Sequence, residues 1–194
     1  AIKEIPAADS AFRAKVEGHL AHEDVRWDWL LTLGDAADQI IRHSAFADLV
    51  IVSQAGRSGD LDGPLPVASE VALHSPTATL VVPPSVNRFD PQQPVVVGWD
   101  GSNEAARAMR FALPLLRMAG SVHLASVGHD NRELPKLEAS AYLARHGISS
   151  ELHELPAGVR DVGDILQAFA IDKGASAIVM GAYGHSRLRE TLFG

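Results

Sequence analysis

No cysteine occurs among the 194 residues, so a disulfide framework and a thiolate zinc site are both excluded. Basic side chains are also in deficit. Lys and Arg total 17 against 24 Asp and Glu, a formal net charge of -7, which argues against a broad electrostatic footprint for nucleic acid or an anionic membrane. No apolar run approaches the roughly 18 residues of a membrane span. The opening Ala1-Ile-Lys-Glu-Ile-Pro6 shows no signal-peptide pattern. Together these absences lead to the expectation of a cytoplasmic protein with neither nucleic acid nor membrane as partner. What remains is 46% hydrophobic, enough for one sizeable domain or two small ones.

Apolar periodicity supplies the elements. A one-faced helix is expected over 9–21, from Ala11, Phe12, Val16 and Leu20, then a strand over 27–33 and a helix over 36–43. Four consecutive apolar residues in 47–53 predict a strand buried on both faces, as in a parallel sheet covered by helices. A Gly, Asp and Pro-rich loop follows over 57–66, then a short helix over 67–73 and a strand over 79–83. Residues 85–94 have the composition of a linker. A new cycle begins after it, with strands over 94–100, 121–127, 148–155 and 177–180. Helices are expected between them, through Leu116, over 135–146 ended by Gly147, and over 162–173 ended by Gly174. Strands alternating with helices of this length imply crossover connections on a parallel sheet.

The chain repeats itself. A shift of 128 positions places 47–58 over 175–186 and the helix around Ile40 over that around Ala168. The expected fold class is therefore α/β, with two tandem open parallel-sheet, Rossmann-like domains at 1–86 and 87–194. The first lacks its N-terminal elements and the second its C-terminal ones. An intramolecular pseudo-dimer follows, and the edge strand near Thr79 to Val82 offers a route to a homodimer.

The second copy carries the chemistry. Its last strand breaks into Gly181-x-x-Gly184-x9-Gly194, where bare backbone can approach an anion. Together with Val95-Val-Val-Gly-Trp-Asp100-Gly-Ser102, this pattern resembles the universal stress protein family in a tandem form. The resemblance covers copy two from its first strand to its glycine loop, and only the later part of copy one. It implies ATP or a related adenine nucleotide, with magnesium as counterion. Asp100 would then lie at the adenine and ribose end, the Val127 backbone at the adenine edge, and Gly181, Gly184 and Gly194 around ribose and phosphates. His185 and Arg187 fall inside the same loop, and Arg187 and Arg189 offer guanidinium forks to phosphate. All these groups fall at carboxyl ends of parallel strands, where open α/β sheets bind ligands.

Other residues have plainer readings. Asp100 also suits an Asx turn and Ser102 a helix cap. Trp99 either stacks on a base or fills the site. In copy one, Ser53 and Pro66 replace the first and third glycines and only Gly56 remains, so that copy is not expected to bind ATP by this motif. No nucleophile, base and orienting group can be assembled from spacing, so no catalytic residue is assigned, and ATP hydrolysis would at most be slow. His19 and His22, three apart without a clustered carboxylate, read as exposed helix residues, and no metal ligand is assigned. The functional expectation is a stress-response protein acting as a nucleotide-dependent regulatory or interaction module. The alternative is a tandem module that has lost its ligand. An adenylyl-transferring or flavin-binding relative ranks last, because it needs catalytic groups that are not found.

Overall fold

The computed structural model describes residues 7–54, 66–128 and 134–182. The chain divides into two compact units, residues 1–33 and 34–194. The first carries helix α1 (Ala7–Leu20) followed by irregular backbone. Its local contacts are side chain against side chain: the Phe12 and Trp29 rings lie 6.0 Å apart, with the Arg13 guanidinium 5.7 Å from the Trp29 ring. The strand expected over 27–33 does not form. A strand needs a ladder partner and a covered face, yet Leu30, Leu31 and Leu33 are exposed and no described strand pairs with them.

The second unit opens with α2 (Ala36–His43), capped by Asp35, whose side chain accepts from the Asp38 N–H. Strand β1 (Leu49–Ser53), helix α3 (Val67–His74) and strand β2 (Ala78–Val82) follow, and the two strands pair in parallel. Val50 and Val52 pack with Val81 beneath α2 and α3. The opposite face departs from the sequence reading, because Leu49 and Ile51 are exposed. Among the described residues this pair of strands is covered by helices on one face only.

A second sheet is built from β3 (Val95–Gly98), β4 (Val122–Val127), β5 (Ser150–Leu155) and β6 (Ala177–Val179), in the order β5-β4-β3-β6 and wholly parallel. Between β3 and β4 the single helix expected from periodicity is two, α4 (Asn103–Phe111) and α5 (Leu113–Met118). Pro114 explains the break: it has no N–H to donate to the preceding turn, and its ring crowds the carbonyl there. Helices α6 (Lys136–Arg145) and α7 (Val162–Asp172) complete the set. Each of the last two ends on a left-handed glycine, Gly147 and Gly174. In both, the next N–H reaches back five residues, Ile148 to the Leu143 carbonyl and Ala175 to that of Ala170.

Strand alternation divides the core. Val95, Val97, Trp99, Val122 and Leu124 face α4, α5 and α6 through Ala105, Met109, Leu116, Ala139 and Leu143. Val96 and Ala125 face α7 through Leu166 and Ala170. Full burial of a side chain such as Met109, Leu116 or Leu143 contributes roughly 1.5–3 kcal/mol. The sheet is thus held from both sides, with one crossover reversing direction after β5 to return the chain beside β3. Arg107 of α4 donates to the Pro76 carbonyl, 2.9 Å away, and ties this layer to the segment before β2.

Candidate functional site

Strand order makes the site. β3 is central, with β4 on one side and β6 on the other, so the chain leaves β3 in opposite directions along the sheet. Such a reversal opens a crevice at the carboxyl ends of the strands. β3 pairs Gly98 with Ala125 and Val97 with Val179. Carrying those ladders forward puts Asp100 level with Val127, and Gly181 level with Trp99. Three of the sequence-selected residues therefore meet on adjacent strands at one edge. Gly184, His185, Arg187 and Gly194, like Arg189, lie outside the described residues.

The turn after β3 is held by its own side chains. Asp100 Oδ1 accepts from the Ser102 N–H at 3.0 Å and from the Ser102 hydroxyl, whose oxygen in turn accepts from the Ala105 N–H at 3.1 Å. Asp100 forms an Asx turn, Ser102 is the cap, and the first turn of α4 presents its positive end at the crevice. Gly181 reaches that turn at close range. A Cβ there would sit 2.8 Å from the Glu104 carbonyl carbon and 2.9 Å from the Ala105 nitrogen, so only glycine lets the end of β6 lie on α4.

Trp99 does not enter the crevice. Its indole is 4% exposed within the core under α4 and α6, and its N–H donates to the Leu134 carbonyl at 3.1 Å. It takes neither of the roles the sequence left open: the ring has no free face for a base, and it fills the core rather than the site.

Sequence reading missed two features. Lys136, buried at the start of α6, donates to Ser126 Oγ at 2.9 Å, the His153 carbonyl at 3.2 Å and Glu154 Oε1 at 3.2 Å. It ties α6 to the ends of β4 and β5, beside Val127. The other is on the α7 face, where His123 of β4 meets Glu151 and His153 of β5. His123 and Glu151 are partners in register, and His153 is the next residue on the same face of β5. Nothing in linear spacing joins position 123 to 151. Only a period-two reading of both strands with the β4–β5 register could have found them.

His153 is held below the ordinary histidine range, first by burial, then by the neighbouring charges of His123 and Lys173, with Glu151 acting in the opposite sense. An unfolded chain regains the ordinary pKa of about 6.5 and binds the proton more readily. The stability that His153 contributes is therefore full above about pH 6.5 and falls as pH drops toward the lower folded value. Urea midpoints in EDTA, taken from pH 7.5 to 5.5, should fall more steeply for the parent chain than for His153→Gln.

His19 and His22, weighed from sequence, and His74 behave as plain helix residues. His19 and His22 turn Nδ1 back to the Lys15 and Gly18 carbonyls, at 2.8 and 2.9 Å, and His74 does the same toward Glu70. No helix among the described residues is long and apolar enough to cross a membrane.

Comparison with known proteins agrees with this architecture. No curated protein is matched. Among solved structures, a universal stress protein from Archaeoglobus fulgidus DSM 4304 is similar over 91% of this chain and 68% of its own, with TM-score 0.61 and 19% identity. A universal stress family protein from Burkholderia pseudomallei matches 52% of this chain and 90% of its own at 25% identity, with TM-score 0.39. Protein Rv1636 from Mycobacterium tuberculosis H37Rv matches 53% and 78% at 24% identity, with TM-score 0.37. The Archaeoglobus likeness bears on the fold alone. The model of the universal stress protein family matches residues 92–194, which include β3, the Asp100 turn, β6 and the glycine loop. More than half of the chain is thereby accounted for, and the chain belongs to the universal stress protein family.

Proposed function

We propose that residues 87–194 bind ATP or a related adenine nucleotide in the crevice between β3 and β6. One observation carries the reading. At a topological switch point, the end of β6 lies on the first turn of α4 through a glycine with no room for a side chain, next to a carboxylate held in an Asx turn. Backbone N–H groups of a glycine loop and a helix N-terminus are the groups that hold phosphates. The Asp100 carboxylate suits ribose or adenine donors, and the Val127 backbone the adenine edge. Gly184, His185, Arg187 and Gly194 belong to the same loop by sequence pattern, with Mg2+ as counterion. The output is regulatory: nucleotide shifts the protein between two states only as far as it prefers one of them.

The tandem arrangement, 1–86 followed by 87–194, is part of this proposal. The shift of 128 carries Leu49 onto Ala177, and each residue begins a strand that follows a helix. The Archaeoglobus likeness extends over 91% of the chain, beyond the 92–194 match. Copy one then acts as a pseudo-dimer partner without its own nucleotide, in the cytoplasm.

Isothermal titration with Mg-ATP tests the site. The parent chain is expected to bind one nucleotide. Asp100→Asn keeps an acceptor for the Asx turn but loses the charge, and should weaken binding about tenfold. Gly184→Asp should abolish it by placing a carboxylate among phosphates. Absence of binding by the parent chain ends the nucleotide proposal.

A further inference from the structure

A second cluster of side chains lies away from the crevice, on the α7 face at the sheet edge. There the ligand atoms of three side chains converge: His123 Nδ1 lies 3.1 Å from His153 Nε2 and 3.3 Å from Glu151 Oε2, and the last two are 3.5 Å apart. We propose that His123, Glu151 and His153 form a three-ligand site for a divalent transition-metal ion of the zinc type, with the fourth position open to solvent.

The dimensions suit a metal. Zinc bonds to imidazole nitrogen and carboxylate oxygen are about 2.0–2.1 Å long, which places any two ligands of a tetrahedron about 3.3 Å apart. The three observed separations, 3.1, 3.3 and 3.5 Å, bracket that value, so the atoms already outline one face of the tetrahedron.

Orientation is built in by neighbours. The far nitrogen of His123, Nε2, lies 3.1 Å from Ser121 Oγ. With Nε2–H donating to that oxygen, the Nδ1 lone pair points at the cluster, the arrangement in which an outer hydrogen bond fixes the tautomer of a metal-binding histidine. Phe169 of α7 packs against both rings, its centroid 4.9 Å from His153 and 6.2 Å from His123. The ligands also come from a rigid scaffold, two paired strands in fixed register.

Access and chemistry agree as well. The side chains of His123, His153 and Glu151 are 7%, 22% and 64% exposed, so the cluster grades from a buried base to an open mouth on the Glu151 side. Two imidazoles and one carboxylate suit zinc and its neighbours rather than magnesium or calcium, which demand mostly oxygen ligands. Lys173, its ammonium 5.5 Å from the Phe169 ring centre, adds positive charge on the same face.

The site is separate from the nucleotide crevice. His123 and Glu151 lie near the amino ends of β4 and β5, whereas Asp100, Val127 and Gly181 lie at carboxyl ends. Titration of Zn2+ into metal-free protein without nucleotide should give saturation at one ion per chain, and Co2+ should give the visible absorption of a tetrahedral ion. Glu151→Gln and His153→Gln should each weaken Zn2+ binding by about 100-fold or more, beyond the roughly 10–100-fold typical of outer-shell losses. Ser121→Ala should give that smaller loss. Glu151 is exposed, so its variant keeps the fold, checked by circular dichroism, and decides the matter even if the histidine variant is destabilised. No saturable Zn2+ binding by the parent chain, or unchanged binding by Glu151→Gln, overturns the proposal.

Discussion

Trp99→Ala should destabilise the protein by about 3–5 kcal/mol, read as a lowered urea midpoint with little change in slope. The indole is among the buried residues of the core that joins β3 to α4, α5 and α6, and truncation leaves a cavity where Met109, Leu143 and their neighbours meet. A second cost adds to the first. The Leu134 carbonyl loses its donor just ahead of α6, and an acceptor left unpaired inside a protein costs roughly 1–3 kcal/mol unless water reaches it. Trp99→Phe helps to separate the two, because it keeps a six-membered ring in the core while losing the N–H and the smaller ring, and so leaves a smaller cavity. Its expected loss is smaller, about 1–2 kcal/mol. Equal losses in the two variants would show that packing is not what Trp99 contributes.

Gly181→Ala should produce the second large effect, about 1–3 kcal/mol of destabilisation together with loss of nucleotide binding. The added methyl meets the backbone of Glu104 and Ala105 at 2.8 and 2.9 Å, and backbone of a capped helical turn cannot rotate away as a flexible side chain would. Either β6 lifts from α4 or α4 tilts, and both separate the glycine loop from the Asp100 turn. Gly147→Ala is the control. Space at that position is open, and the cost arises from the left-handed backbone, φ 76°, at roughly 1 kcal/mol. Gly147 ends α6 just ahead of β5, at the amino ends of the strands and opposite the crevice, so its variant should lose stability and keep nucleotide affinity. If Gly181→Ala binds nucleotide as the parent chain does, close contact between β6 and α4 is not needed for the site.

The helix and strand order of the second half could be read in the sequence because each signal there is local. Ser102 marks a helix start, Gly147 and Gly174 mark ends, and the apolar run Val95 to Val97 marks a strand. The glycine pattern, Asp100 and Val127 likewise pointed to one edge of a parallel sheet, and Asp100, Val127 and Gly181 lie at that edge. The failures are instructive for the same reason. Residues 27–33 have an apolar strand-like pattern without a strand, since pairing depends on a partner that local pattern cannot supply. The four apolar residues of β1 suggested cover on both faces, yet Leu49 and Ile51 are bare, because burial belongs to the neighbours and not to the strand.

By itself, then, the sequence determined that this is a cysteine-free, acidic α/β chain whose strands run in parallel, and whose second half carries the spacing Gly181-x-x-Gly184-x9-Gly194. Tertiary structure decided three things. It put Trp99 into the core and not the crevice, because alternation along β3 turns it to the face covered by α4 and α6. It set Gly181 against α4, a contact fixed by strand order and not by spacing. It also brought His123 to Glu151 and His153, since the register of two parallel strands, invisible along one chain, is what turns distant positions into neighbours.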